Sequence, residues 1–467
     1  MGGFLIRGGS DDGDRFWAGA VWRPPPGKRG AALHAALVER PCSCIRRLAG
    51  QRSKEIQFTR FLRNASVTTA EMAAQAGAGT AARVSGRDVV VIQDTTELIL
   101  GGRRARASGY GPVGKGGDLS GLLLHPVLAV EAGTGALLGL VDLRIWNRKR
   151  GGTKPRRSRA TAQKESQRWI DGTARAGEAL AGATSITAVS DRESDIYEHF
   201  AARPANVELI VRACQNRLIE APATDPSALL FSFIDSMPEQ GRFSVTIPAA
   251  PGRKQRTTEL AVRFSPVTLR QPLHALKGDR PATLNLTIVD VRETSARADG
   301  EALHWRLLTT HVVRGLDEAR RIVDLYRLRW LIEEFFRTLK TAGFDLEDAD
   351  IGDPRAMMNL VGAATVAAVT VMQLVKARDG TTDQPLTMSF ACEDQRLLEA
   401  ISCELEGKTA LQKNPHPKGS LAFAAWVMGR LGGWTGYYGK PGPMVMRRGL
   451  DDFHRIKFGA TLRLQDV

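Results

Sequence analysis

The sequence predicts an α/β fold in which a core of strands and helices is interrupted by a β-rich insertion and flanked by helical N- and C-terminal regions. Three observations predict it. Two short strand patterns, the β-branched run Asp88 to Asp94 and the run Ser185 to Ser190, end on or run into an aspartate, and the Val-Val-Val-Ile of the first is that of a buried central strand. Between residues 242 and 311 a series of strand patterns is separated by Pro, Gly and basic turns. A strongly periodic helix then follows, with apolar and polar residues on separate faces.

In chain order, residues 1–75 form an N-terminal helical region whose opening is hard to read. The run from Trp22 through Pro24, Pro25, Pro26 and Gly27 breaks any helix. Helical spacing begins at Lys54–Phe61 and returns at Thr69–Ala76, where Ser66 or Thr68 caps the helix and Glu71 sits near the capping-box offset. Residues 76–215 carry the first part of the core. Its strands are Asp88–Asp94, Leu122–Val130 and Ala136–Trp146, with Gly133 and Gly135 in the turn. A helix over Gln163–Leu180 is anchored by Trp169 and Ile170, and a strand over Ser185–Ser190 leads into Asp191. A short helix at Glu198–Ala202 and a strand at Glu208–Ala213 close this part. Three strands, a helix and a strand, with a carboxylate on the first and last strands, is the RNase H-like order.

Residues 216–303 are the β-rich insertion, with strands at Arg242–Pro248, Thr257–Phe264 and Thr283–Glu293. Residues 304–377 resume the core with a strand at Trp305–His311 and one long helix from about Asp317 to Thr341. Met357–Val375 carries no charge and is about long enough to cross a bilayer. Its alanines and its Asn359, Thr365, Thr370 and Gln373 favour a buried core helix, so no membrane partner is expected. Residues 378–467 end in a Gly- and aromatic-rich stretch around Trp426, Trp434, Tyr437 and Tyr438, an expected dimerisation or DNA-binding region.

Charge points to the partner. Sixty-five Lys and Arg against 50 acidic residues give a formal net charge of +15. The basic residues are spread through the chain, which favours nucleic acid over a membrane surface, where a basic amphipathic helix or tail is usual. The densest cluster, Arg148-Lys149-Arg150 with Lys154, Arg156, Arg157 and Arg159, suits a solvated loop able to follow a DNA backbone. Cys42, Cys44, Cys214, Cys392 and Cys403 show no zinc spacing and no disulfide framework. They fit a reducing cytoplasm, and Met1–Asp14 lacks the features of a signal peptide. No P-loop or dinucleotide fingerprint is present, which disfavours NTP hydrolysis and nicotinamide chemistry.

The most specific pattern lies on the long helix. Tyr326, Arg329, Glu333 and Lys340 stand at offsets 0, 3, 7 and 14. At about 100° per residue they share a wedge of roughly 60°. Leu325, Leu328, Ile332, Phe336 and Leu339 form the neighbouring apolar stripe. The bland reading is a solvated face with an Arg329–Glu333 pair. Likewise an isolated Asp94 or Asp191 is more often a turn or cap residue.

The four-residue spacing resembles the Tyr-Arg-Glu-Lys (YREK) signature of the insertion-sequence-four (Tn-five-like) family of bacterial DDE transposases. Gln93-Asp94-Thr95-Thr96 and Val189-Ser190-Asp191-Arg192-Glu193-Ser194-Asp195 resemble that family's two catalytic strands. Phe61-Leu62-Arg63-Asn64, Lys164-Glu165-Ser166 and Gly432-Gly433-Trp434-Thr435-Gly436-Tyr437 are also similar, so the resemblance runs from about Lys54 to the C-terminus.

The resemblance implies an RNase H-like catalytic core and a metal-binding triad of Asp94, Asp191 and Glu333. Mg²⁺ is the implied cofactor, with Mn²⁺ able to substitute. Two such ions about 3.5–4 Å apart activate a nucleophile and neutralise a leaving oxyanion. Tyr326, Arg329 and Lys340 would contact DNA near the scissile bond, Trp305 would stack a flipped base, and Arg212 and Arg217 would follow the backbone. Glu97, Glu193 and Asp195 are the acids most easily mistaken for triad members.

The implied activity is cut-and-paste transposition through a DNA hairpin, by a cytoplasmic, nucleoid-associated homodimer acting on terminal inverted repeats and target DNA. Two alternatives stand beside it: a non-catalytic dimerising inhibitor with a broken end-recognition region, and a general RNase H-like nuclease.

Overall fold

The computed structural model describes residues 24–102, 109–149, 163–220, 228–247, 256–272, 280–294, 302–341, 343–437 and 439–463. Most of the basic cluster (Arg150 to Arg159), the Met1–Asp14 segment and Tyr438 lie outside them. Helices α1 (Pro24–Glu39), α2 (Ile45–Ala49), α3 (Arg52–Arg63) and α4 (Thr69–Ala81) come first. Strands β1 (Asp88–Gln93), β2 (Thr96–Ile99), β3 (Gly111–Val113), β4 (Leu119–Glu131) and β5 (Leu137–Trp146) follow. Next are α5 (Gln167–Ala179), β6 (Ser185–Ser190), α6 (Tyr197–Ala201), β7 (Glu208–Arg212) and α7 (Leu230–Ser236). Strands β8 (Gly241–Ile247), β9 (Arg256–Arg270), β10 (Thr283–Glu293) and β11 (His304–Thr309) lead into α8 (Leu316–Arg327) and α9 (Trp330–Lys340). The chain closes with α10 (Pro354–Ala377), α11 (Asp394–Leu405), α12 (Leu421–Leu431) and α13 (Pro443–Arg463).

These elements fall into two compact units, a smaller one of Val84–Asp94 and Gly152–Ile332 and a larger one of Met1–Arg83, Thr95–Gly151 and Glu333–Val467. In the smaller unit the strands run in the order β1-β6-β7-β11-β10-β9-β8. The β1–β6 and β6–β7 pairs are parallel. The remaining pairs are antiparallel. Val89, Val90, Val91 and Ile92 are almost wholly buried, as β-branched residues of a strand covered on both faces should be. Helix α5 packs on β1 and β6. The buried Gln93 amide donates to the Trp169 carbonyl (3.3 Å) and the Thr173 hydroxyl (2.9 Å). These parallel pairs with a covering helix are compatible with an RNase H-like core. Strands β8, β9 and β10 lie within the stretch read as β-rich, and β11 lies where a strand was read at Trp305–His311.

In the larger unit β4 pairs with β5, β2 and β3, all antiparallel. Helix α4 lies on β5 so closely that a Cβ on Gly77 would meet the Val141 carbonyl oxygen at 2.6 Å. The Thr68 hydroxyl caps α4, accepting the Glu71 N–H at 3.3 Å. Helix α10 has the length and apolarity of a membrane span, yet most of it is buried against α1, α3, α4, β5 and α12. Its central stretch, Met357–Val375, carries no charge, as suits a helix that protein covers on several sides.

Two expectations need correction. The proline run does not break a helix: α1 begins at Pro24. Prolines in a first turn give up only N–H groups that would lack a helical partner there, and Leu33 and Leu37, four apart, are fully buried. Nor is the segment from 317 to 341 one helix. Leu328 and Arg329 form a turn between α8 and α9. Their N–H groups donate three residues back, to Leu325 and Tyr326, and those of Leu331 and Ile332 do the same to Leu328 and Arg329. Such tightening eclipses residues three apart, so Tyr326 and Arg329 are aligned more closely than an ideal α-helix would align them.

At the end of β10, the Glu293 carboxylate accepts from Arg256 (2.9 Å), Thr258 (2.7 Å) and the Leu303 N–H (2.9 Å). The Arg256 contact, above all, holds its pKa down at about 2, the Leu303 and Thr258 bonds adding to it against burial. A carboxylate depressed in the folded state stabilises fully above its unfolded pKa and loses that contribution as pH falls through the folded one. The window therefore runs from about 4.5 down to about 2. We expect urea denaturation at about pH 7 to show Glu293→Gln less stable than the wild type, and the gap to narrow by about pH 3. A gap independent of pH would contradict this assignment.

Candidate active site

The site in the smaller unit starts from strand register. β1 and β6 pair from Asp88↔Ser185 to Ile92↔Val189. Continuing that register past the strand ends sets Asp94 beside Asp191. Neighbouring strands are about 4.8 Å apart, so residues in register on a parallel pair project to the same side as neighbours. Two carboxylates are thereby placed together at the carboxyl ends of adjacent strands, where their charges repel unless a cation intervenes.

Arg329 supplies the positive charge. Its Nη1 donates to Asp94 Oδ2 at 2.8 Å and its Nη2 lies 4.0 Å from Asp191 Oδ2. The arginine side chain is 8% exposed, against 21% for Asp94 and 31% for Asp191. Asp191 Oδ1 is buried with no hydrogen-bond partner. A buried, unsatisfied acceptor costs about 1–3 kcal/mol, and more when it is charged. It is retained next to a second carboxylate, and that donor set of hard oxygens fits a divalent cation such as Mg²⁺.

Aromatic packing holds the backbone that delivers Arg329. Tyr326 is 2% exposed, its ring edge-on to Trp305 with centroids 5.3 Å apart. Trp305 also meets Trp330 edge-on at 5.7 Å. Burial pushes the Tyr326 phenol up, opposed by Arg329 and reinforced by Asp191. Trp305 is 6% exposed, so the residue expected to offer a stacking face to a base is here a core residue with aromatic neighbours.

A second guanidinium was not anticipated. Arg168, at the start of α5, donates to the Glu165 carbonyl (2.8 Å) and to Glu193 Oε2 (2.5 Å). It lies 5.1 Å from the centre of the Trp169 ring. Burial lowers its pKa, while Glu193, Glu165 and Asp94 oppose the change. The Lys164-Glu165-Ser166 motif pointed to this segment, but nothing in it singled out the arginine that follows.

The other acids have structural work. Asp195 is buried, and its Oδ2 accepts the N–H groups of Cys214 and Gln215, both at 2.7 Å. Its Oδ1 and its carbonyl each receive Arg217 at 2.6 Å. Arg217, expected to follow DNA, is thus engaged by its own chain. Arg212 donates to the His304 carbonyl at 3.3 Å. Glu193 holds Arg168. In the larger unit, Glu97 accepts from the Gly114 N–H (2.7 Å) and from Arg148 (3.2 Å).

Glu333 and Lys340 belong to the larger unit. Glu333 is exposed on α9. Lys340 Nζ lies 3.5 Å from Glu347 Oε1. Among the described residues, no three His, Cys, Asp or Glu side chains are gathered closely enough to hold one metal ion. The smaller unit contributes an aspartate pair.

Residues 232–369 match the family model of a transposase DDE domain. The matched stretch contains Trp305, Tyr326, Arg329, Glu333 and Lys340, while Asp94 and Asp191 precede it. Over that stretch the chain is similar to transposases, enzymes that act on DNA.

The Arg217–Asp195 pair gives a separate test of how the site is supported. The Asp195 side chain has no solvent exposure and that of Arg217 only 10%. Arg217→Gln leaves a buried carboxylate without its cation, a loss on the order of 3–5 kcal/mol. We expect the urea midpoint to fall accordingly. A change under about 1 kcal/mol would mean that the two backbone N–H groups alone sustain Asp195.

Proposed function

We propose that the protein is a DNA transposase of a bacterial insertion sequence, cutting and joining DNA by phosphodiester hydrolysis and strand transfer. The observation that carries this reading is the aspartate pair: Asp94 and Asp191 directly follow the paired strands β1 and β6, share the neighbouring Arg329, and leave one buried Asp191 oxygen unpartnered. The similarity of residues 232–369 to a transposase DDE domain supports it.

In this reading Asp94 and Asp191 hold divalent metal, and Glu333, exposed on α9 after the Arg329 turn, supplies the third carboxylate. Bound Mg²⁺, or Mn²⁺ in its place, would activate the attacking oxygen and neutralise the leaving one. The chain's own groups do the rest. Arg329 offers a planar fork that matches phosphate oxygens, and Lys340 offers a point charge on the same helix as Glu333. Tyr326 fixes the turn that aims Arg329. Cut-and-paste excision through a DNA hairpin by a homodimer bridging two transposon ends is the fuller scheme we propose.

The inhibitor reading rested on an interruption of the N-terminal region around Pro24, and the helix α1 across Pro24–Glu39 weighs against that interruption. The test uses the full chain, duplex DNA ending in the element's inverted repeats, and Mg²⁺. Losing several kcal/mol of charge stabilisation corresponds to about 10³-fold in rate. Asp94→Ala and Asp191→Ala should therefore each lower strand cleavage by at least about 10³-fold while DNA binding in a gel shift persists. Undiminished cleavage by either variant defeats the assignment. Equal cutting of an RNA–DNA hybrid, with no preference for the repeats, would favour a general nuclease.

A further inference from the structure

Arg329 raises a question that its expected role as a phosphate contact leaves open: its own chain already engages it, through Asp94 and the nearby Asp191. We propose that Arg329 is a built-in counter-ion that occupies the Asp94–Asp191 pair in the absence of DNA and withholds it from divalent metal until a DNA phosphate draws the guanidinium away. This inference rests on the metal-site reading above.

The geometry makes the two cations mutually exclusive. Arg329 donates to Asp94 Oδ2 at 2.8 Å and approaches Asp191 Oδ2 to 4.0 Å. A divalent ion on those same oxygens would sit within a few ångströms of the guanidinium, in a place where arginine is nearly buried. Like charges so close, and so poorly screened, repel strongly. The arginine cannot simply withdraw, because a buried charge that loses its partner is costly. It leaves only for another anion, and a phosphodiester presents paired oxygens suited to its fork.

Arg168 has no such freedom. Glu193 and the Glu165 carbonyl hold it, and Trp169 lies alongside. Its positive charge, which Asp94 also feels, therefore stays in place when Arg329 moves. Asp191 Oδ1, buried and unpartnered, is an acceptor that the arginine leaves unused. If phosphate and metal each favour the same displaced arginine, their affinities are linked, and each strengthens the other by the same factor.

The experiment titrates Mn²⁺ into the full chain and reads free Mn²⁺ by electron paramagnetic resonance, with and without duplex DNA, subtracting a DNA-only blank. For the wild type we expect DNA to tighten Mn²⁺ binding by about tenfold or more. Arg329→Gln should bind Mn²⁺ about that much more tightly without DNA, and DNA should then add little. Arg329→Lys, which keeps the charge but loses the fork, should fall between them. Melting curves establish that the variants are folded, and the wild-type comparison decides the matter if they are not. Unchanged Mn²⁺ affinity on adding DNA to the wild type, or in folded Arg329→Gln, overturns the counter-ion role. Adding Asp94→Ala to Arg329→Gln separates the two claims: binding that survives it shows that the aspartates are not the metal site, whatever Arg329 does.

Discussion

The site depends on one electrostatic constraint: two aspartates set side by side by strand register must share a cation. Parallel pairing of β1 with β6 places Asp94 next to Asp191, and the strands are too deeply buried for that register to slip. A shift of one residue would send the alternating side chains to the opposite face. Backbone pairing therefore enforces a repulsion that the fold has to answer locally. The answer is Arg329, presented by a turn whose neighbours Tyr326 and Trp330 are both packed against Trp305. Core packing positions the charge, and the charge makes the strand-end geometry tolerable.

Much of the core was legible because the relevant signals are local. The Val-Val-Val-Ile run of β1, the helical spacing of α5 and the strand patterns of β8 and β10 set off by Pro, Gly and basic turns each predict the element found, to within a few residues. The two aspartates were singled out by the resemblance to a transposase family, since each alone reads more readily as a turn or cap residue. Their being in register was not legible. Register comes from pairing across 97 positions of sequence, and no local pattern encodes it.

The misreadings have equally physical causes. Prolines signal a break only inside a helix, and composition does not tell the inside from the first turn. The turn at Leu328–Arg329 contains neither Gly nor Pro, and the apolar stripe continues through it, so periodicity passed over it. The aromatic environment of Trp305 depends on Tyr326 and Trp330 arriving from another element. Arg217 looked like a free basic residue because its partner, Asp195, lies 22 residues earlier. The last two involve contacts that only tertiary structure creates.

Comparing the acids of the smaller unit shows what sets the candidate site apart. Asp290 is fully buried, with Arg263, Arg292, Arg306 and His304 all within ion-pair distance. Asp195 has two backbone N–H groups and a guanidinium, and Glu293 has an arginine, a threonine and a backbone N–H. These carboxylates are saturated in the way that buried structural charges need to be. Asp191 is not: one oxygen is without a partner and the other is 4.0 Å from a shared arginine. The chain satisfies buried acids fully elsewhere in this unit, so leaving one short here is not a general failure of packing. A carboxylate left incomplete beside another, with one arginine near both, is what the proposed metal site would require.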